Sequence, residues 1–547
     1  MRYREISKIL GKYLFYFSFI LCVPFAVAVY FDFISIYKHS SQPSSSLEFL
    51  ETILICLVLS FLFRFLGKGA KKQIEKKESI FLVVVIWLIS AFIGALPFYL
   101  TKTLENPVDA YFEAMSGFTT TGATVMYPKA YNSLGKEIPI YDTNIHVPEK
   151  TYKFWGTISP IREGKTGRIL FSGVEAVSKG VQFWRSFSQW LGGMGIVVLF
   201  LAILPALAVG GKFLYQMEMP GPTKESLTPR IKDTASILWK LYFTLTIIEI
   251  YLLIWTNPQM PLFDAFCITF SNLSTGGFTI TNQSIGSYNN IFTEWIVIIF
   301  MFIASTNFAL YFQLLRRKLY RIYEPDYLFY VGMIIMGAFF VTIFLIGGTQ
   351  HSLDGSIATY STSSAIRDGC FQAISAQTST GFVTTNYDLW PFAPQIFMLL
   401  LMFVGGMAGS TAGGIKTSRF YILFKIFAHK IENIFRPEDV RKLKVGEKEI
   451  TSNTAITVLT FFFIVILFAA FGMVLLIING IDPETAIATI TCMMNNIGIA
   501  FRAAGPVYSF AFLPNFSKII SILWMLFGRL EFFAVLLLFL PAFWKKK

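Results

Sequence analysis

Four short segments share a spacing of glycine, small polar residue and acid: Thr121-Gly122-Ala123, Gly276-Gly277-Phe278, Thr380-Gly381-Phe382 and Ile497-Gly498-Ile499. Thirteen residues before Gly122, Gly277 and Gly381 stand Asp109, Asp264 and Asp368; in the fourth segment Thr485 holds that place, beside Glu484. Six residues before each glycine stand Ser116, Ser271, Ser375 and Cys492, and Ala110, Ala265, Gly369 and Ala486 share another register. One such glycine alone reads as a loop turn; four in register do not. The chemistry on offer belongs to the backbone. Glycine tolerates positive φ without a Cβ clash, which lets successive carbonyls face one way. A ring of carbonyls so aligned replaces the water shell of a potassium ion. The residues assigned to that ring, and to K+ as its ligand, are Thr120, Thr121 and Gly122; Thr275, Gly276 and Gly277; Ser379, Thr380 and Gly381; and Asn496, Ile497 and Gly498.

A second constellation could control passage. Between Val404 and Lys416 an apolar run is interrupted by Gly405, Gly406, Gly409, Ser410, Thr411, Gly413 and Gly414. Each glycine costs a helix interior about 1 kcal/mol relative to alanine, so the spacing predicts a broken helix with a mobile loop. Close packing of small residues between helices is the competing reading. Lys416, at the end of the run, either snorkels to the cytoplasmic interface or marks the loop's position. Arg529 lies sixteen residues before Lys545, about 24 Å along a helix. A charge at that depth faces a cavity or a partner rather than lipid. It reads as a fixed cation below the carbonyl ring, or else as an ion pair with Glu531 or Glu249. Glu113, inside the first short helix, reads as a structural counter-charge.

The elements that must position these residues are set by hydrophobicity. Of the 547 residues 54% are hydrophobic and 14% charged, against roughly 25% charged in soluble domains. Apolar runs of about 20 residues cross a bilayer as helices. Ten occur, at roughly 12–34, 49–66, 79–100, 186–208, 237–256, 291–314, 327–347, 395–425, 454–479 and 516–544. Each glycine segment falls between two of them and is too short to span. Non-helical backbone at membrane depth survives only when buried in protein or lining a water-filled cavity, so each segment reads as a short helix and a returning strand. The expected fold is an all-α integral membrane protein of ten transmembrane helices: four span, pore-helix, span units around one pore, plus two N-terminal spans. The boundaries are 1–78 for the N-terminal pair, 79–208, 209–321, 322–425 and 426–547 for the four units, with an insertion at 126–182 that reads as an extracytoplasmic cap.

The net charge of +13 is a topology signal rather than a nucleic-acid footprint. Lys and Arg cluster at Arg2–Lys12, Arg64–Lys77, Lys212–Lys240, Arg316–Arg321, Lys416–Lys448 and Lys545–Lys547. Cytoplasmic loops carry such excess, which puts both termini inside a cytoplasmic membrane, with attraction to anionic membrane lipid as a secondary effect. The first apolar run is too long for a secretory signal. Cys22, Cys56, Cys267, Cys370 and Cys492 form no CxxC pair and read as small buried hydrophobes.

With these residues in place, the chain resembles the Trk/Ktr/HKT superfamily of potassium transporters, and most its TrkH branch. The resemblance runs from about residue 80 to the C-terminus. Its motifs are Trp184-Arg185-Ser186-Phe187-Ser188-Gln189-Trp190-Leu191-Gly192-Gly193-Met194-Gly195, Gly221-Pro222-Thr223 continuing to Leu227-Thr228-Pro229-Arg230, Gly405 to Thr417, and Gly528-Arg529-Leu530-Glu531. It implies potassium uptake, a homodimer with one pore per subunit, and a cytoplasmic nucleotide-binding ring of the TrkA or KtrA type. The chain has no P-loop or dinucleotide fingerprint, so no organic cofactor is expected in it. In the fourth segment the family pattern Asn-Asn-x-Gly-Pro-Gly gives way to Asn495-Asn496-Ile497-Gly498-Ile499-Ala500, with Arg502 expected to weaken cation entry. That departure keeps a sodium-permeable or sodium/proton-coupled transporter open. A membrane-embedded enzyme is disfavoured because His39, His146, His351 and His429 are isolated.

Overall fold

The computed structural model describes residues 1–35, 42–70, 74–143, 149–163, 167–195, 231–435, 444–445 and 448–545. Most of them are helical. Among the described residues, six helices are long and apolar enough to cross a membrane: Tyr3–Ile34, Ser46–Leu66, Lys77–Leu100, Asp233–Thr256, Pro325–Leu345 and Ser452–Ile478. The first two pack against each other closely, with Gly11 against the backbone of Ser60 and Arg64 and Ser60 Oγ donating to Gly11 O at 2.7 Å.

The other apolar runs are interrupted. The 291–314 run bends by 92° between Ile291–Ala304 and Phe308–Leu315. The 395–425 run divides into Phe392–Phe403 and Thr417–Phe435, and the 516–544 run into Asn515–Arg529 and Phe533–Phe539. The 186–208 run begins as Lys179–Gly193 and continues outside the described residues, as does the motif Gly221 to Arg230. The glycine pattern predicts only the break at 404–414. The break between Ala304 and Phe308 is made by Asn307, whose side chain accepts from Ala309 N at 2.8 Å and starts a new helix. The third follows from left-handed backbone at Glu531 and Phe532, φ 54° and 55°.

Four short helices lie between these elements: Pro107–Phe118, Leu262–Leu273, Thr362–Gln377 and Pro483–Asn495. The acids of the sequence register are not their N-caps, as a capped-start reading of Asp109, Asp264 and Asp368 expects. Asn106 and Asp482 cap the first and fourth helices, each followed by proline at the first helical position, and Ser361 caps the third. Asp109 sits inside the first turn, where it accepts from Lys518 Nζ of the Asn515–Arg529 helix at 2.6 Å.

The C-terminal ends explain another register. Thr120, Thr275, Ser379 and Asn496 each adopt left-handed backbone, φ 52–56°. The following amide folds back five residues: Thr121 N to Ser116 O, Gly276 N to Ser271 O, Thr380 N to Ser375 O and Ile497 N to Cys492 O, at 2.8, 2.8, 3.0 and 3.1 Å. This is the longer hydrogen bond of a Schellman C-cap. The serine-or-cysteine position therefore supplies a carbonyl, which is why its side chain is free to differ.

The 126–182 insertion forms three small antiparallel hairpins, Ala130–Tyr131 with Glu137–Ile138, Ile140–Thr143 with Thr151–Phe154, and Ile161–Arg162 with Ile169–Phe171. The second is anchored far along the chain: Tyr152 hydrogen-bonds Asp482 through its hydroxyl and packs its ring on Phe512 at 5.0 Å.

Candidate functional site

Each short helix ends by delivering its glycine in left-handed backbone: φ is 78° at Gly122, 76° at Gly277, 81° at Gly381 and 91° at Gly498. The four glycines meet. A Cβ on Gly122 would collide with the carbonyl oxygen of Gly276, one on Gly277 with that of Thr380, one on Gly381 with that of Ile497, and one on Gly498 with that of Thr121. Every glycine thus abuts the carbonyl that precedes its counterpart in the next segment, and the fourth closes back on the first. The twelve residues assigned to the carbonyl ring all belong to this closed cycle or to the caps beneath it. Thr120, Thr121, Thr275, Ser379, Thr380, Asn496 and Ile497 are buried.

On one side of the cycle opens a cavity of about 300 Å³, lined by Gly122, Gly277, Gly381 and Gly498 together with Tyr127 and Tyr508. Near it Asp142, on the second hairpin, has its carboxyl raised above the ordinary value by burial, opposed by a hydrogen bond with Tyr508. On the other side lies a smaller cavity of about 50 Å³, lined by Trp87, Gly409, Gly413, Lys416, Arg529 and Glu531 among others.

Between the two sit the residues of the second constellation. Arg529 donates from Nη1 to Thr120 Oγ1 at 3.1 Å and to Thr411 O at 2.9 Å, and from Nη2 to Gly192 O and Gly193 O at 2.7 and 2.8 Å. It binds the first glycine segment, the 404–416 loop and the end of the Lys179–Gly193 helix at once. Glu531 accepts both arms of Arg419 at 3.0 and 2.6 Å, and Glu249 accepts from Asn272 at 2.6 Å. Lys416 does not snorkel: its side chain is buried and bonds to Ala412 O, because the chain turns inward before helix Thr417–Phe435 begins.

The 404–416 loop is tightly bonded. Gly405 N donates to Ile415 O at 3.0 Å, Met407 N to Ser305 O at 2.9 Å and Thr417 N to Gly406 O at 3.1 Å. Thr411 Oγ1 donates to Leu273 O and Ala304 O, both at 3.0 Å, and Gly413 N donates to Ser379 Oγ at 2.6 Å. Gly409 abuts Asn307, and Gly414 abuts Gly405; Ser410 Oγ bonds back to Met407 O at 2.7 Å.

Several residues at the site carry no signal in the glycine spacing. Gln189 donates to Gly276 O at 2.7 Å and accepts from Phe278 N at 3.1 Å, bracketing the second glycine. Glu113 is paired with buried Arg185 at 2.9 Å and accepts from Thr124 Oγ1 and Val125 N, while Arg185 reaches Thr279 O at 2.7 Å. The only hint of Gln189 and Arg185 lies in the motif from Trp184 to Gly195. Arg502 is met by Asp388 at 2.9 Å and Glu484 at 2.6 Å, so its charge is compensated rather than presented to an entering cation.

The chain is similar to known transport proteins. The family model TrkH, described as a cation transport protein, matches residues 162–546. The Trk system potassium uptake protein TrkH of Salmonella typhimurium is 30% identical, the match covering 100% of both chains. The Trk system potassium uptake protein TrkG of Escherichia coli K12 is 31% identical over 99% of each. The crystal structure of the potassium transporter TrkH from Vibrio parahaemolyticus superposes with a TM-score of 0.78 at 28% identity, covering 100% of both chains.

Proposed function

Because the chain belongs to the TrkH family of cation transport proteins, and is a transporter rather than an enzyme, we propose that it carries potassium across the cytoplasmic membrane through the cycle of four glycine segments. The carrying observation is the closure of that cycle, each glycine packed on the carbonyl before the next. Four segments so arranged supply carbonyl oxygens that exchange for the water shell of a dehydrated potassium ion. The four segments then form a selectivity filter, their helices are pore helices, and the chain divides into the N-terminal pair at 1–78 and pore units at 79–208, 209–321, 322–425 and 426–547. The ten spans of this reading are the six uninterrupted helices, the three interrupted runs at 291–314, 395–425 and 516–544, and the 186–208 run, which continues outside the described residues.

The larger cavity is the outer vestibule in this reading. Arg529 and the loop Gly405 to Lys416 are the gate beneath the filter. A guanidinium at the foot of the first filter strand raises the barrier for a cation at low dielectric, and the bonded loop fills the path that the small cavity leaves. Moving the loop breaks the Arg529–Thr411 contact and releases both obstacles together. The relatives' names, as parts of a Trk system, favour a regulatory partner; that this partner is a cytoplasmic nucleotide-binding ring of the TrkA or KtrA type, and that the chain forms a homodimer with one pore per subunit, rests on the resemblance of its motifs.

Rubidium uptake into proteoliposomes, with sodium as competitor, tests the reading. Saturable rubidium uptake that sodium inhibits weakly is expected. Equal permeation of the two ions would favour the sodium-permeable alternative, sodium-dependent uptake the coupled one, and no flux of either would refute transport.

A further inference from the structure

The outer ends of the filter strands are tied pairwise, and each tie crosses from one unit to the next. Arg185 joins the first strand to the second through Glu113 and Thr279 O. Val383 N donates to Ser284 Oγ at 3.2 Å, joining the third to the second. Phe510 N donates to Thr124 O at 2.8 Å, joining the fourth to the first. The remaining boundary, between third and fourth, is the one where the chain reads Gly498-Ile499-Ala500-Phe501-Arg502.

Arg502 has left-handed backbone, φ 63°, a strained state that persists only when surroundings fix it. Four bonds do so. Its backbone N and its Nη1 both donate to Asp388 Oδ1, at 3.0 and 2.9 Å; Nη1 also reaches Gln395 Oε1 at 2.9 Å, and Nε reaches Glu484 Oε2 at 2.6 Å. Tyr387, beside Asp388, donates its hydroxyl to Ala500 O at 2.6 Å. Asp388 and Gln395 belong to the third unit, so the guanidinium fork pins the fourth strand's outer end to its neighbour.

We infer that Arg502 is a positioning residue for ion selection, holding the fourth filter strand in register with the third through Asp388; this rests on the filter reading above. A planar fork with several donors suits the task, whereas a lysine ammonium offers only a point charge. The two carboxylates neutralise the side chain, so its role is geometric and not a repulsive collar at the mouth.

The test is ion preference, which a loss of folded protein alone does not move. Arg502→Gln, Asp388→Asn and the double variant are reconstituted beside the wild type, and rubidium and sodium uptake are compared per correctly folded protein. Each single variant is expected to lower the rubidium-to-sodium ratio by about tenfold, the scale of one charge-assisted hydrogen bond, and the double variant to fall no further. An unchanged ratio in both single variants overturns the inference. So does faster flux at the same ratio in Arg502→Gln, which would mark a charge barrier, and so do losses that add in the double variant. A wild type that does not prefer rubidium would refute the filter reading itself, a separate result.

Discussion

At the scale of residues, the proposed filter tolerates no side chain at its glycines. A Cβ at Gly122 or Gly381 meets a carbonyl of the next strand, and φ near 80° strains any L-residue further. Gly122→Ser and Gly381→Asp are therefore expected to abolish uptake or to admit sodium. Rubidium and sodium flux measured for each would show it, and an unaltered preference in both would remove these glycines from the filter. These positions were legible because glycine itself is the signal. The residues two before them were legible only by position: Thr120 and Thr275 are β-branched and run against left-handed backbone, Ser379 gives no sign of it, and only Asn496 is of a type that favours it. Glu113 was legible as a structural counter-charge, but its pairing with Arg185 was opaque for a different reason. They stand 72 residues apart, and no spacing rule links them. Removing one partner of a buried pair leaves an uncompensated charge, at about 3–5 kcal/mol. Arg185→Met is expected to lower the thermal unfolding midpoint in detergent much more than the double variant with Glu113→Gln.

Among elements, the proposed gate rests on the interrupted helices. A glycine-rich run announces the 404–416 break, whereas the breaks in Ile291–Leu315 and Asn515–Phe539 fall at Ser305-Thr306-Asn307 and at Leu530-Glu531-Phe532, interruptions too short to end an apolar run. Hydropathy averages over a turn and does not detect a single capping asparagine or two left-handed residues. Those hidden breaks matter because the loop bonds to one of them, at Ser305, and Arg529 ends the helix before another. Deleting Gly409 to Gly413 removes Thr411 itself, and with it the Arg529 contact to the loop. Flux without any regulatory partner is expected to rise severalfold in the deletion variant, and also in Arg529→Gln, which keeps the loop but discards the charge. Unchanged or lower flux in both, in folded protein, would take the gate away from this level of the structure.

For the whole molecule, the decisive relation is which mouth faces which solution. Segment spacing pointed to four repeated glycine segments; it did not show that they close in chain order, because one-dimensional registers carry no information about neighbours in space. Charge placement supplied the remaining piece, with Lys and Arg concentrated in alternate loops, and the structure ties that pattern to the two cavities. The hairpins of 126–182 share the larger cavity, through Tyr127 and Pro128, whereas the smaller one is lined by Lys416 at the head of the basic helix Thr417–Phe435. If positive loops are cytoplasmic, the vestibule above the glycines faces outward and the gate faces the cell. Cysteines placed at Leu134, 89% exposed in a hairpin turn, and at exposed Lys430 distinguish the orientations in a background lacking the five native cysteines. An impermeant maleimide applied to intact cells is expected to label the Leu134→Cys variant fully, and Lys430→Cys only after permeabilisation. The reverse pattern would turn the pore around, placing Arg529 and its loop at the outer entrance, where no cytoplasmic partner could move them.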